Sequence, residues 1–161
     1  MKPTLLLLSV FPHRLMERLH EHFECYVHSQ LDEKQALSLA PLVRGIVATG
    51  ESTVTREQIT RLPALEIISV LGVGYEGIDL EAARDHNICV THTPGLSTED
   101  IADFAMALLL CAARQVISAD QFVRRGEWRG GRHPMTARVS GGQMGILGLG
   151  RIGRAVALRA Q

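Results

Sequence analysis

The chain has 161 residues, of which 46% are hydrophobic and 21% are charged. These proportions are those of a soluble globular protein, and the length suits one ordinary domain or parts of two. Seventeen Lys and Arg residues balance seventeen Asp and Glu residues, so the composition implies no general affinity for nucleic acid or for a membrane surface.

Short apolar runs alternate with helix-like stretches up to about residue 92. The strand-like runs are Thr4–Val10, Glu24–His28, Gly45–Ala48, Ile67–Leu71 and Ile88–Thr91. The helix-like stretches between them are Pro12–His22, Asp32–Ala40, Thr53–Arg61 and Asp79–His86, with Asp32 and either Thr53 or Thr55 as candidate N-caps. Such strict alternation predicts a five-stranded parallel sheet that helices cover on both faces, an α/β fold.

The pattern changes after Thr91. The turn-forming segment 92–97 precedes a long predicted helix from Glu99 to about Arg125, capped by Ser97 or Thr98. Its apolar face is broad and comprises Ile101, Phe104, Ala105, Leu108, Leu109, Ala112, Val116 and Ala119. Residues 128–138 predict an irregular loop, and the arginines around it are interpreted as solvated. Met144–Leu147 predicts the first strand of a second domain.

Other features exclude several classes of protein. The run Leu5–Leu8 lacks a following cleavage site, which favours a buried strand over a signal peptide. The apolar stretch Phe104–Ala113 is ten residues long, whereas a membrane span needs about 20. Cys25, Cys89 and Cys111 are widely spaced, which is typical of a reduced cytoplasmic protein. The seven histidines show no metal-ligand spacing, so we expect no metal site and no membrane segment.

Two segments match the pattern G-x-G-x-x-G, which opens the phosphate-binding turn of dinucleotide-binding domains. One has its glycines at 148, 150 and 153, and the other at 72, 74 and 77. In the later match, Gly148 would form the turn, Gly150 would let a pyrophosphate approach and Gly153 would let the helix pack closely. From the residues alone either match could be a chance occurrence. The acidic residue that would bind a ribose lies about 20 positions beyond the motif, and the sequence ends eight residues after Gly153.

Four segments in order resemble the D-isomer-specific 2-hydroxyacid dehydrogenases, the family of glyoxylate/hydroxypyruvate reductases and phosphoglycerate dehydrogenase. They are Gly72–Asp79 (GVGYEGID), Thr93–Asp103 (TPGLSTEDIAD), Arg124–Trp128 (RRGEW) and Gly145–Gly153 (GILGLGRIG). The resemblance runs from about residue 67 to residue 161, and the first 66 residues add a compatible α/β pattern. It implies a flavodoxin-like substrate domain in residues 1–98, followed by a linker helix and the start of a Rossmann dinucleotide-binding domain in residues 99–161.

The resemblance also assigns roles to the two glycine-rich loops. It implies that the backbone amides of Val73 and Gly74 bind the substrate carboxylate, as consecutive amides in a turn can. It implies that Gly148, Gly150, Arg151, Ile152 and Gly153 bind the pyrophosphate of NAD or NADP. Thr98 matches a position near the cofactor, and a plain helix cap explains it equally well.

The family's catalytic Arg, Glu and His lie downstream of the cofactor loop, so the resemblance places them beyond Gln161 and assigns no catalytic residue here. It implies an NAD(P)-dependent oxidoreductase of small 2-oxo and 2-hydroxy acids. It also implies a homodimer that forms through the helical region 99–125. We expect the 161-residue chain alone to be inactive.

Two alternatives stay open: a non-catalytic dinucleotide-sensing module of the corepressor type, and an inactive truncated gene product. The choice between NAD and NADP and the identity of the acid also stay open.

Overall fold

The computed structural model describes residues 2–161. Two compact units follow one another along the chain, the first ending at Pro94 and the second comprising Gly95–Gln161. The first unit contains a five-stranded parallel sheet in the order β2-β1-β3-β4-β5. The strands are β1 (Thr4–Leu7), β2 (Glu24–Val27), β3 (Val43–Thr49), β4 (Ile67–Leu71) and β5 (Cys89–Thr91). This is the flavodoxin-like strand order, so the predicted fold of this part of the chain is confirmed.

Four helices connect the strands, and most of them begin where the sequence predicts. They are α1 (His13–His22), α2 (Glu33–Leu39), α3 (Arg56–Thr60) and α4 (Leu80–Asp85). Asp32 caps α2 and Thr55 caps α3, each in a reciprocal capping box with the glutamine three residues later. Asp79 caps α4 through its side chain. Short 3-10 turns at His28–Gln30 and Ala40–Leu42 flank α2.

The core lies on both faces of the sheet. On one face Leu5, Leu7 and Phe11 are buried against α1. On the other face a larger cluster of buried residues joins β3 and β4 to α3 and α4, and it includes Ile46, Ile59, Ile68, Val70 and Ala82. Alternate residues of one strand serve the two faces, as the period of a strand requires. Packing on both faces therefore fixes the positions of the carboxyl ends of the strands and of the loops that follow them.

The second unit contains α5 (Thr98–Ala113), α6 (Val116–Arg124) and α7 (Arg151–Arg159), with a 3-10 turn at Glu127–Arg129. The prediction of one helix from Glu99 to about Arg125 is wrong, because α5 and α6 are separate and bent by 58°. The break lies at Gln115, which has a left-handed φ of 50°. No glycine or proline marks that position, so the sequence carries no local signal for the break.

Helix α7 packs on α5. Ala102 of α5 and Ala155 and Val156 of α7 form a small buried cluster, against which Ile146 packs. Arg159 donates hydrogen bonds to the carboxylates of Glu99 (2.8 Å) and Asp103 (2.5 Å). The hydrogen bond to Glu99, and to a smaller extent the one to Asp103, raises the pKa of Arg159 above its ordinary value. The end of α7 is thereby fixed to the first turns of α5.

The predicted strand Met144–Leu147 is not formed within residues 2–161. A parallel strand needs a neighbour that accepts and donates its ladder hydrogen bonds, and no described segment pairs with these residues. Ile146 is half-buried in the α5–α7 cluster, whereas Leu147 is fully exposed. The segment is therefore unpaired, with one side chain anchored in the cluster.

Among residues 2–161 no single helix is long and apolar enough to cross a membrane, although α5 and α6 taken together pass that test of length and composition.

Candidate active site: two glycine-rich loops

The first glycine-rich loop follows β4 directly. Leu71 ends the strand, and Val73 and Gly74 follow after Gly72, at the carboxyl end of the sheet where ligands bind in open α/β folds. Val73 is 44% exposed. The structure therefore places both predicted substrate-binding residues at a sheet edge where solvent and ligands can reach them.

The loop after β3 supports the glycine-rich loop from one side. Val54 donates a backbone hydrogen bond to Gly77 (2.9 Å), and Asp79 donates one to Val54 (2.9 Å). A Cβ atom on Gly77 would overlap the carbonyl oxygen of Ser52. Glycine is thus required at 77 because two backbone segments approach closely there, which is a structural role.

The segment after β5 holds the loop from another side. The backbone N–H of Thr93 donates to the carbonyl oxygen of Gly72 at 2.8 Å. The Thr93 hydroxyl donates to the same oxygen at 3.1 Å and accepts from the Gly72 N–H at 3.0 Å. Nδ1 of His92 lies 2.9 Å from the carbonyl oxygen of Val73. The His92 ring also packs edge-on against Tyr75, with centroids 4.9 Å apart.

These contacts leave two backbone donors for a ligand. No hydrogen bond joins the amide of Val73 or of Gly74 to an acceptor within residues 2–161. Two consecutive free amides in a turn form an anion-binding concavity. The carboxylate of Glu76 lies close to Gly74, since its Oε2 would be 2.7 Å from a Cβ on that glycine. The loop can therefore bind a carboxylate, and Glu76 opposes that binding by charge repulsion.

The second glycine-rich loop joins the unpaired segment 144–147 to α7. Gly148 has a φ of 92°, a left-handed conformation that favours glycine. A Cβ on Gly153 would overlap the Gly148 carbonyl oxygen. Gly150 is the N-cap of α7 without a side-chain cap, and its Cβ would meet nothing within 4 Å. The loop thus has a tight turn, a close helix contact and open space at its middle glycine, as a pyrophosphate requires.

The remaining predicted cofactor residues lie at the starts of helices in the second unit. Arg151 and Ile152 form the first turn of α7, where backbone N–H groups lack helical partners and attract anions. Ile152 is 40% exposed. Thr98 is the first residue of α5, and Ser97 occupies the N-cap position without a side-chain capping bond. Ser97 is thus at the predicted N-cap position without the capping hydrogen bond, and the role of Thr98 as a cofactor neighbour stays a prediction.

Sequence reasoning missed the roles of His92 and Thr93. The parallel register pairs Ser69 with Thr91, so the residues that follow β5 must lie beside those that follow β4. The sequence did contain a signal for them. Two polar residues follow β5 directly, and β5 is the neighbour of the strand that precedes the glycine-rich loop.

Within residues 2–161 no cluster of three His, Cys, Asp or Glu side chains could hold a metal ion. Cys25, Cys89 and Cys111 are free thiols.

Residues 5–156 match the family described as D-isomer specific 2-hydroxyacid dehydrogenase, catalytic domain. The chain belongs to this family. The glyoxylate reductase of Korarchaeum cryptofilum is 38% identical over the whole of this chain, which covers 50% of that relative. The 2-ketogluconate reductase of Gluconobacter oxydans is 37% identical over 98% of this chain, again with 50% of the relative covered.

Solved structures of the 2-hydroxyacid dehydrogenase family show the same similarity. The enzyme from Ketogulonicigenium vulgare superposes with a TM-score of 0.94 at 40% identity, covering 99% of this chain and 51% of that one. An NADPH-dependent glyoxylate/hydroxypyruvate reductase from Sinorhizobium meliloti, solved with NADP and malonate, superposes with a TM-score of 0.83 at 34% identity, covering 99% and 50%. The chain thus spans about half the length of the family members that it matches.

Proposed function

We propose that the chain supplies two binding loops of an NAD(P)-dependent oxidoreductase that interconverts a small 2-oxo acid and a D-2-hydroxy acid. The observation that carries the proposal is the loop after β4, in which the amides of Val73 and Gly74 have no acceptor within residues 2–161 and lie at the carboxyl edge of the sheet. A carboxylate is the group that all such acids share, and paired amides bind it.

The loop from Gly148 to Gly153 fits the pyrophosphate of a dinucleotide. Its middle glycine faces open space, and its last glycine lets the helix approach the turn. When bound, the nicotinamide supplies the hydride that the carbonyl carbon of the 2-oxo acid accepts. The residue that decides whether NAD or NADP binds lies about 20 positions after the motif, so the proposal covers both cofactors.

In this proposal the two loops bind and orient the substrate and the cofactor. The resemblance places the family's Arg, Glu and His downstream of Gln161. In the reaction, the carbonyl oxygen gains a proton as its carbon gains the hydride, and a general acid near that oxygen must supply the proton. The contribution of Val73 and Gly74 is to fix the carboxylate, and with it the position of the adjacent carbonyl.

The partner that we propose is a second copy of the chain, which associates through α5 and α6. Phe104 and Leu108, four residues apart on α5, and Ile117 of α6 are 64%, 54% and 68% exposed. Large apolar side chains exposed on helices favour burial against a partner. We further propose a cytoplasmic location, which the free thiols support.

A chimera tests the catalytic proposal. Residues 1–161 are joined to the remaining part of the Ketogulonicigenium vulgare enzyme, whose matching half superposes with a TM-score of 0.94. We expect oxidation of NADH or NADPH when glyoxylate or hydroxypyruvate is added. The intact K. vulgare enzyme is the positive control, and the chimera with Gly153→Val, which breaks the cofactor loop, is the negative control. A folded chimera that binds dinucleotide and reduces neither acid would contradict the proposal.

A further inference from the structure

The amides of Val73 and Gly74, which we assign to the substrate carboxylate, belong to two peptide units. In both units the carbonyl oxygen accepts hydrogen bonds from the protein. In a trans peptide the C=O of one residue and the N–H of the next point in opposite directions, and no described peptide bond is cis. The Val73 N–H is therefore directed by the Gly72 carbonyl. The Gly74 N–H is directed by the Val73 carbonyl in the same way.

Both of those carbonyls are bound by one short segment, His92–Thr93. Two donors of Thr93, its N–H at 2.8 Å and its hydroxyl at 3.1 Å, bind the Gly72 carbonyl. Nδ1 of His92 binds the Val73 carbonyl at 2.9 Å. A carbonyl oxygen only accepts, so Nδ1 carries the hydrogen of this bond. Because both carbonyls point toward the segment after β5, both amides point away from it, to the same side.

The ring of His92 is itself fixed. Tyr75 packs edge-on against it with the centroids 4.9 Å apart, a favourable aromatic geometry. Thr93 is anchored as well, because its hydroxyl also accepts the Gly72 N–H at 3.0 Å. The direction of the two amides therefore depends on side chains that are held in place by the loop they orient.

We propose that His92 and Thr93 are positioning residues for the substrate carboxylate, His92 by orienting the Gly74 amide and Thr93 by orienting the Val73 amide. This inference rests on the proposed function, since it takes these two amides as the substrate donors. In addition, His92 and Thr93 pre-organise the carboxylate site although neither side chain needs to touch the ligand. Without these contacts the ligand would have to order the loop as it binds, which weakens affinity.

The test uses amide ¹⁵N relaxation of the 161-residue chain without ligand, followed by titration with oxamate, a carboxylate analogue of a 2-oxo acid. His92→Phe keeps a ring against Tyr75 and removes the Nδ1 donor. Thr93→Val keeps the shape and removes the hydroxyl, and Thr93→Ser restores it. Thr91→Val is the matched control, because the Thr91 hydroxyl bonds to Ser69 and not to the loop.

We expect the order parameter of the Gly74 amide to fall from about 0.85 to below about 0.6 in His92→Phe, while that of Val73 changes little. In Thr93→Val the larger decrease is at Val73, and Thr93→Ser recovers it. Oxamate affinity falls about tenfold in His92→Phe, the equivalent of ordering about one residue. Thr91→Val matches the wild type.

The proposal is overturned if Gly74 stays as rigid in His92→Phe as in the wild type, or if all residues from 72 to 77 loosen equally, since a purely structural role would do the latter. The relaxation data decide this without any ligand. If oxamate shifts neither the Val73 nor the Gly74 resonance of the wild type, the proposed substrate site fails instead, so the two failures are distinguishable.

Discussion

Gly153 lies so close to Gly148 that a single methyl group on Gly153 would overlap the carbonyl oxygen of Gly148. Helix α7 therefore approaches the preceding turn at a distance that only glycine allows. Gly148 itself has a φ of 92°, so the two residues together fix the shape of the loop. Gly150, between them, has no neighbour near the place of a Cβ, and its openness has no structural reason in the residues described.

Gly153→Ala should destabilise the second unit by about 1–3 kcal/mol, the usual range for an inserted methyl group without room. Gly150→Ser is the matched control. Its backbone, with φ of −74° and ψ of −161°, suits serine as an N-cap, so stability should hold. Urea unfolding monitored by circular dichroism measures both. Equal stability of the two variants would contradict the close packing of α7.

The sheet could be predicted from the sequence because each strand is a short apolar run between helix-like stretches. Ile67–Leu71 matches its predicted bounds, whereas β1 ends at Leu7 and not at Val10. The ends are less well predicted because a strand ends where its neighbours stop pairing. Helix starts at Asp32 and Thr55 were predictable because the caps are local side-chain bonds.

The second unit was predicted less well, for two physical reasons. The break at Gln115 requires a left-handed conformation of a non-glycine residue, which is uncommon and which composition does not reveal. The run Met144–Leu147 has the composition of a buried strand, but strand structure depends on a partner that residues 2–161 do not supply. The turn at Gly148 and the close approach at Gly153 were predictable, because both follow from the missing side chain.

Removing the charge of Glu76 should strengthen carboxylate binding. Its carboxylate lies beside Gly74, and a like charge near a bound anion opposes binding, although solvent screens much of the effect at this exposed site. We expect Glu76→Gln to bind oxamate about threefold more tightly at low salt, with the gain reduced at high salt.

Chemical-shift titration at two salt concentrations measures the effect of Glu76→Gln. Glu21→Gln, which removes the same charge from α1, is the control and should bind as the wild type does. If Glu76→Gln and Glu21→Gln behave alike, the Glu76 carboxylate has no influence on the loop.

The exposed apolar residues of α5 should determine the oligomeric state. Leu108→Asp with Leu109→Asp is expected to dissociate a dimer through this helix, but Leu109 is partly buried and its substitution also threatens the fold. Phe104→Asp with Leu108→Asp is the sharper variant, since both side chains are mostly exposed. We expect the mass measured by light scattering to fall to that of a monomer.

Leu37→Asp, at a 68% exposed position of α2, is the control for the interface and should leave the mass unchanged. A wild type that is already monomeric at high concentration would show that α5 is no self-association surface.

Cys25 should react with iodoacetamide more slowly than Cys89. Burial raises the pKa of the Cys25 thiol, an effect that the charge of Lys2 only partly opposes, whereas Cys89 is exposed on β5. The thiolate is the reactive form, so a raised pKa lowers the rate at pH 8 and moves the increase in rate to higher pH. Peptide mass spectrometry over time measures both sites, and in urea the two rates should converge. Faster labelling of Cys25 in the folded chain would contradict the packing of β2 against α1.

Finally, the 161-residue chain by itself should neither bind a dinucleotide tightly nor reduce a 2-oxo acid. The segment 144–147, which precedes the cofactor loop, has no strand partner within residues 2–161. Ile146 anchors this segment to the α5–α7 cluster, and the same cluster supports the α7 side of the loop. Ordering the unsupported residues on binding costs about 1–2 kcal/mol for each of them. Calorimetric titration with NADH and NADPH should show no micromolar binding, and the absorbance of NADPH should stay constant with glyoxylate or hydroxypyruvate.

The chimera with the K. vulgare enzyme is the matched control, since it contains the same residues with the downstream half added. Micromolar binding or turnover by the chain alone would mean that α7 and its turn hold the loop without a sheet.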